Sequence, residues 1–77
     1  MLFRSDHPVP VTIDGQQRQI KAGEYLVSLL KQVLGVDPSK ELDQVVCGEF
    51  VPLEDNAHVH IKGHEVFVSH VRSGGSS

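Results

Sequence analysis

The stretch VPVTIDGQQRQI, residues 9–20, decides how this chain folds. Its first half alternates apolar and polar side chains, as a strand buried on one face does. Asp14-Gly15 follows, and this dipeptide suits a tight type I′ turn between antiparallel strands. The polar second half can then pair back against the first. We therefore predict a β-hairpin whose first strand turns three apolar side chains to one face, those of Val9, Val11 and Ile13.

One amphipathic helix is predicted next, over residues 25–34. Its first residue lacks a strong side-chain cap, so Gly23 is the best available N-cap. The end is better defined, because Gly35 can adopt the left-handed conformation and Val36 can fold back on the last turn. Asp37-Pro38 then stops the helix. The predicted buried stripe has spacing i, i+3, i+4, i+7 and consists of Leu26, Leu29, Leu30 and Val33.

Short strands are predicted after the helix, at residues 42–46, 58–61 and 65–71, with a shorter or irregular segment at 50–53. A sheet of four or five strands needs one helix to cover its inner face, and this order of elements supplies one. The predicted fold class is therefore α+β, with a β-grasp (ubiquitin-like) sheet packed on one helix. In that arrangement the first strand lies centrally, parallel to the last.

The chain has room for one small domain, because it has 77 residues of which 39% are hydrophobic. We expect a flexible N-terminal arm at residues 1–8, the β-grasp domain at 9–71, and a flexible C-terminal tail with Gly-Gly at 72–77. A net charge of −3 argues against nucleic-acid binding, which needs clustered Lys and Arg. Residues 1–10 lack the apolar centre of a secretory signal, and no apolar run could span a bilayer, so a cytoplasmic, non-membrane protein is expected.

Enzyme activity is not expected, because so small a domain has little interior for a catalytic pocket. No cofactor is predicted. The single cysteine, Cys47, has no base or positive charge nearby in sequence, and one cysteine cannot form an internal disulfide or the usual zinc site. His58 and His60 share one face of a strand and could in principle bind zinc or nickel. Since Val59 and Ile61 must face the core, we expect both histidines to be exposed and predict no metal site.

The segments VTIDG at 11–15, LEDNAHVHI at 53–61 and GHEVFVS at 63–69, with the leucine-rich helix between the first two, resemble the bacterial multiubiquitin-type ubiquitin-like proteins. The resemblance covers residues 9–71. It implies a protein modifier of a bacterial conjugation operon, in some systems active in antiphage defence. The partners that it implies are an activating enzyme, a conjugating enzyme, a deconjugating or processing peptidase, and the target proteins.

The sequence VRSGGSS, residues 71–77, matches that role. Gly74 and Gly75 have no Cβ, so the backbone can pass through a narrow enzyme slot. Arg72 and Ser73 precede them and form the predicted enzyme-docking tail, in which Arg72 can pair with an acidic groove. We expect a precursor cleaved between Gly75 and Ser76, with the Gly75 carboxylate joined to targets. The same residues are also typical of a plain flexible tail, and activation at Ser77 without processing is a further possibility.

The face of the sheet opposite the helix is the expected surface for partner docking, as in β-grasp modifiers generally. The predicted docking residues are His58, His60, Phe67 and Ser69. A shift of one residue would instead bury Phe67 and expose Val66 and Val68. Two rival functions remain at this point: a β-grasp sulfur carrier ending in a thiocarboxylate, against which Ser76-Ser77 argues, and a non-covalent interaction module.

Overall fold

The computed structural model describes residues 8–71. Most of the predicted N-terminal arm and the whole predicted tail, with Arg72, Ser73, Gly74, Gly75 and Ser76, lie outside these residues. The described part contains one helix and seven strands: β1 (Pro8–Ile13), β2 (Gln16–Lys21), β3 (Gly23–Leu26), α1 (Val27–Leu34), β4 (Lys40–Val46), β5 (Glu49–Leu53), β6 (His58–Ile61) and β7 (Glu65–Val71).

Five of these strands form a mixed sheet in the order β2-β1-β7-β4-β5. β1 and β7 run parallel at its centre, and every other neighbouring pair is antiparallel. The predicted α+β class, with a central first strand parallel to the last, is confirmed. The arrangement is compatible with a β-grasp. A second sheet, made of β3 and β6, was not predicted.

Two tight turns in the main sheet have the backbone that the sequence requires. Asp14 and Gly15 have φ of 53° and 81°, the left-handed pair that a type I′ hairpin needs, so the predicted turn is confirmed. Cys47 and Gly48 repeat the pattern between β4 and β5, with φ of 51° and 77°. After the second turn, residues 49–53 pair with β4 as a regular edge strand. For residues 50–53 the sequence had allowed either a short strand or an irregular course.

The helix begins two residues later than predicted, at Val27. Tyr25 belongs to β3, where it is opposite Val59 of β6, and Gly23 is the first residue of that strand and not the N-cap. The helix start has no side-chain cap. Its first amides instead donate to the loop before β6, from Val27 N to the Ala57 carbonyl and from Ser28 N to the Asp55 carbonyl, a tertiary solution that local sequence does not reveal.

The predicted buried stripe of the helix is right at Leu30 and wrong at Leu29 and Val33. Leu29 and Val33 are 51% and 48% exposed, and the residues that face the core are Val27, Leu30, Lys31 and Leu34. These four also have the spacing i, i+3, i+4, i+7, displaced from the predicted set. The apolar pattern found only Leu30 of these four, because the position of Lys31 holds a charged residue that a hydrophobic count leaves out.

The helix ends as predicted. Gly35 has φ of 79°, its amide donates to the Gln32 carbonyl at 3.2 Å, and the Val36 amide donates to the Lys31 carbonyl at 2.8 Å. This pair of hydrogen bonds is a Schellman motif. Val36 folds back and is only 8% exposed, so it joins the core between the helix and the main sheet.

One apolar core lies under the helix and unites both sheets. Leu30, Leu42, Ile61 and Phe67 come from α1, β4, β6 and β7, and each is fully buried. The rest of the core comprises Val11, Ile13, Ile20, Val27, Leu34, Val36 and Val59. Within residues 8–71, no helix is long and apolar enough to cross a membrane.

Two neighbouring leucines test the corrected helix face. We expect Leu30→Ala to lower the free energy of unfolding by about 2–5 kcal/mol, because it opens a cavity in the core. Leu29→Ala is the matched control and should change it by about 0.5 kcal/mol or less, because that side chain is half exposed. Urea denaturation measures both, and similar losses in the two variants would contradict this orientation of the helix.

Candidate functional site

The last strand, β7, positions the residues closest to the predicted tail. Alternation along a strand places Phe67 and Ser69 on the side of the helix and Val66, Val68 and His70 on the opposite side. Phe67 is fully buried, whereas Val66 is 37% exposed. The register alternative with Phe67 in the core is therefore the one that the protein adopts.

The four predicted docking residues do not form one surface. Phe67 is wrong as a docking residue, because it lies in the core. Ser69 lies on the inner side and donates to Asp14. His58 and His60 are exposed, as expected, but they lie on β6, which pairs with β3 and not with the main sheet.

An apolar row crosses the outer face of the main sheet, the face opposite the helix. Thr12 is opposite Val66 in the parallel pair β1–β7, and Val45 is opposite Phe50 in β4–β5. Gln44 is opposite Phe67, so Val45 comes level with Val66 and joins the two pairs. We call these four residues the outer row. Phe50 is its most exposed member, at 64%, and Val66 is 37% exposed, so the row leaves apolar surface open to solvent.

Two of the sequence segments that carry the resemblance meet at the end of β1. The Asp14 carboxylate accepts from the Ser69 amide at 2.7 Å and from Ser69 Oγ at 2.5 Å. The Asp14 amide donates to the Phe67 carbonyl at 3.0 Å. These bonds continue the β1–β7 pairing beyond Ile13 and fix the last strand close to its end.

The charge of Asp14 is favoured in this setting. Burial raises the pKa of its carboxyl, but the hydrogen bonds from the Ser69 hydroxyl and amide, with the positive charge of Lys40, outweigh that effect. The pKa therefore lies below its ordinary value of 3.8. A polar cleft of about 240 Å³ adjoins the pair, between the hairpin turn and the end of the helix, and is lined in part by Arg18 and Lys40.

A buried cation ties the helix to β4 and to the loop before β6. Lys31 is 2% exposed, and its Nζ donates to the Lys40 carbonyl at 2.5 Å and to Asp55 Oδ1 at 2.7 Å. These bonds join α1, the first residue of β4 and the loop before β6. A larger cleft, of about 450 Å³, lies beside Asp55 and is lined also by Glu41 and Glu54. Lys31 offers no free amine there.

Cys47 is exposed on the β4–β5 turn. Among residues 8–71, no three His, Cys, Asp or Glu side chains are grouped so as to hold a metal ion. The features that the fold does build in residues 8–71 are the outer row and the end of β7 that Asp14 holds.

The chain matches no family model, no curated protein and no solved structure in comparisons with each.

The ion pair between Lys31 and Asp55 predicts that the Asp55 carboxylate contributes to stability and that the neighbouring Glu54 carboxylate does not. We expect Asp55→Asn to lower the free energy of unfolding by about 1–2 kcal/mol, because it leaves a buried ammonium with a weaker partner, while water at the exposed side limits the loss. Glu54→Gln makes the same chemical change at the preceding position and should have little effect. Thermal or urea denaturation compares the two, and equal effects would show that Lys31 does not depend on Asp55.

The pair of Asp14 and Ser69 predicts a pH dependence. A carboxyl whose pKa is lowered by folding adds stability above its unfolded pKa, and that stability is lost as the pH falls through the lowered folded value. The stability difference between the wild type and Asp14→Asn should therefore be larger near neutral pH than in strong acid. Asparagine also tolerates the left-handed backbone of this turn.

Ser69→Ala provides the control for the Asp14 experiment. In that background the effect of Asp14→Asn should shrink at neutral pH, because the hydroxyl donor is gone. Urea denaturation at several pH values measures all four proteins. An Asp14→Asn effect that is the same at every pH would contradict the role of the carboxylate charge.

Proposed function

We propose that this chain is a bacterial ubiquitin-like protein modifier. It is made as a precursor, processed after Gly75, and joined through its new C-terminal carboxylate to target proteins. Activating and conjugating enzymes carry out the joining, a peptidase carries out the processing and deconjugation, and the setting is an operon with a role such as antiphage defence. The modifier itself supplies binding surfaces and a carboxylate.

The observation that carries the proposal is the position of β7. This strand lies at the centre of the sheet, parallel to β1, and Asp14 holds it at Ser69. Its last residue, Val71, is 70% exposed, and Gly75 follows only four residues later. Four extended residues span roughly 13–14 Å, at ~3.3–3.6 Å each, which suits insertion into an enzyme while the domain stays outside.

The chemistry then needs no catalytic group from this chain. The Gly75 carboxylate attacks the α-phosphorus of ATP and gives an acyl-adenylate with release of pyrophosphate. A nucleophile of the partner enzyme takes the acyl group and releases AMP. An amine of the target finally attacks that acyl group, forms an amide bond and frees the enzyme nucleophile. The absence of a side chain at Gly74 and Gly75 lets the partner approach the reacting carbon closely.

The outer row supports the same proposal as a docking surface for the partner enzymes. It replaces the residues that sequence reasoning chose, and it keeps the predicted face of the sheet. Its exposed Phe50 lies at the edge strand, β5, and Val66 lies at the centre. An enzyme that grips this face holds the domain on the side of the sheet away from the helix, the side that His70 near the end of β7 also faces.

A pair of glutamate substitutions tests the function. The precursor, tagged at its N terminus, is expressed with the activating, conjugating and peptidase enzymes encoded beside it. We expect Gly75→Glu to abolish high-mass conjugates on an immunoblot, because a side chain and a negative charge then occupy the reacting residue. Ser77→Glu adds the same charge two residues later, in the part that processing removes, and should leave conjugates unchanged.

Mass spectrometry of the free protein separates the rival functions. Loss of Ser76-Ser77 from the wild type supports the modifier. Replacement of one oxygen by sulfur at a terminal glycine would favour the sulfur carrier. Conjugates that persist in Gly75→Glu, or an unprocessed and unconjugated chain beside active partner enzymes, would refute conjugation through Gly75.

A further inference from the structure

His70 lies one residue before the end of β7, on the outer face of the sheet. Its Nε2 is 3.2 Å from Asp43 Oδ1 on β4, and its Nδ1 is 3.3 Å from the Val71 carbonyl oxygen. The imidazole is 43% exposed, but the Asp43 side chain is only 14% exposed. The contact thus joins a solvent-accessible titratable group to a carboxylate that packing holds in place.

The charged groups nearest to His70 are mostly acidic. On β4, Glu41 is directly opposite His70 and Asp43 is two residues further along the same face, while Lys40 is opposite Val71. On the β1 side, Asp14 binds Ser69, which faces away from His70. Beyond β4, Glu54 follows β5 and shares a cleft with Glu41. The negative charges of Asp43 and Glu41 therefore favour the protonated form of His70.

We infer that His70 and Asp43 form a proton-dependent clasp that fastens the end of β7 to β4. With His70 protonated, the cation binds the Asp43 carboxylate and the last residues of β7 stay paired with β4. With His70 neutral, that attraction is lost and the strand end opens more often. The clasp acts at the residue before Val71, where the described sheet ends.

The direction of the effect follows from the contacts. The hydrogen bond to Asp43 raises the pKa of His70 above its ordinary value of 6.5, and the Val71 carbonyl adds to the rise. Burial opposes these two bonds without cancelling them, and the charges of Asp43 and Glu41 raise the pKa further. A raised folded pKa means that the stabilisation is fully present below about pH 6.5 and is lost as the pH rises through the raised value. The end of β7 therefore stays paired with β4 in mild acid and opens more often in mild base.

The use of this clasp rests on the proposed function. If the residues after Val71 enter a partner enzyme, opening of the strand end lengthens the unpaired segment that can reach the active site of that enzyme. Mild base would then favour binding of this segment by the partner enzyme, and mild acid would disfavour it. The clasp itself is a property of the isolated chain, so it can be tested without any partner enzyme.

NMR of the isolated 77-residue chain tests the clasp. The imidazole proton shifts of His70 are followed against pH in the wild type, in Asp43→Asn and in Glu41→Gln. We expect Asp43→Asn to lower the midpoint of the His70 titration, since it removes the charged acceptor. Glu41→Gln is the matched control and should lower it less, because Glu41 contributes by charge alone.

Amide hydrogen exchange provides the structural readout. Protection factors, which correct for the intrinsic pH dependence of exchange, are measured for the His70 amide and for β2 as an internal reference. The Ser69 amide is left out because it donates to Asp14. We expect protection of the His70 amide to fall severalfold as the pH rises through the His70 midpoint, while that of β2 stays constant. In Asp43→Asn and in His70→Gln this pH dependence should disappear.

Three results would overturn the inference: a His70 midpoint that Asp43→Asn leaves unchanged, equal shifts in Asp43→Asn and Glu41→Gln, or protection of the His70 amide that does not respond to pH. None of them bears on conjugation through Gly75. Conversely, a failed conjugation experiment leaves the clasp intact and removes only its proposed use.

Discussion

The parallel pairing of β1 with β7 joins two halves of the main sheet that have no other strand contact. On one side lies the hairpin of β1 and β2, and on the other lie β4 and β5. The ladder is short, with three residue pairs from Val11–Glu65 to Ile13–Phe67, and Asp14 extends it by its bonds to Phe67 and Ser69. Without this pairing the helix would cover two separate ribbons, the β1–β2 hairpin and the β7–β4–β5 group.

The second constraint is a cation inside the core. Lys31 occupies a position of the buried helix face where an aliphatic residue would be expected, and its ammonium reaches a carbonyl of β4 and the Asp55 carboxylate. Among the described residues, no buried side-chain nitrogen or oxygen lacks a partner. Since Asp55 also lies in the loop that receives the first helix amides, the same segment caps the helix and holds its buried charge. The loop before β6 is thus part of the helix's support.

The sequence predicted those features that local chemistry determines. Asp14-Gly15 identified the first hairpin, Gly35 the helix end, and the order of elements the central parallel pair. It could not predict the start of the helix, because the partners of Val27 and Ser28 lie in a distant loop. It also misplaced Phe67, because β7 carries apolar side chains on both faces and alternation alone cannot select the buried one. The outer row depends on that register, so it became visible only in the folded sheet. The Asp14–Ser69 bonds, by contrast, connect two segments that the resemblance had already singled out.

The central position of β7 has a consequence for how the protein is made. Asp14 and Ser69 are separated by 55 positions along the chain. Contacts between residues so far apart form late, because the intervening chain must be closed into a loop first. On the ribosome, the N-terminal hairpin therefore has to wait for the final strand to emerge before the sheet can be completed. A nascent chain interrupted before β7 would lack this pairing and expose apolar surface to proteolysis. Completion of the fold thus depends on a chain that includes β7 and is free to pair it with β1.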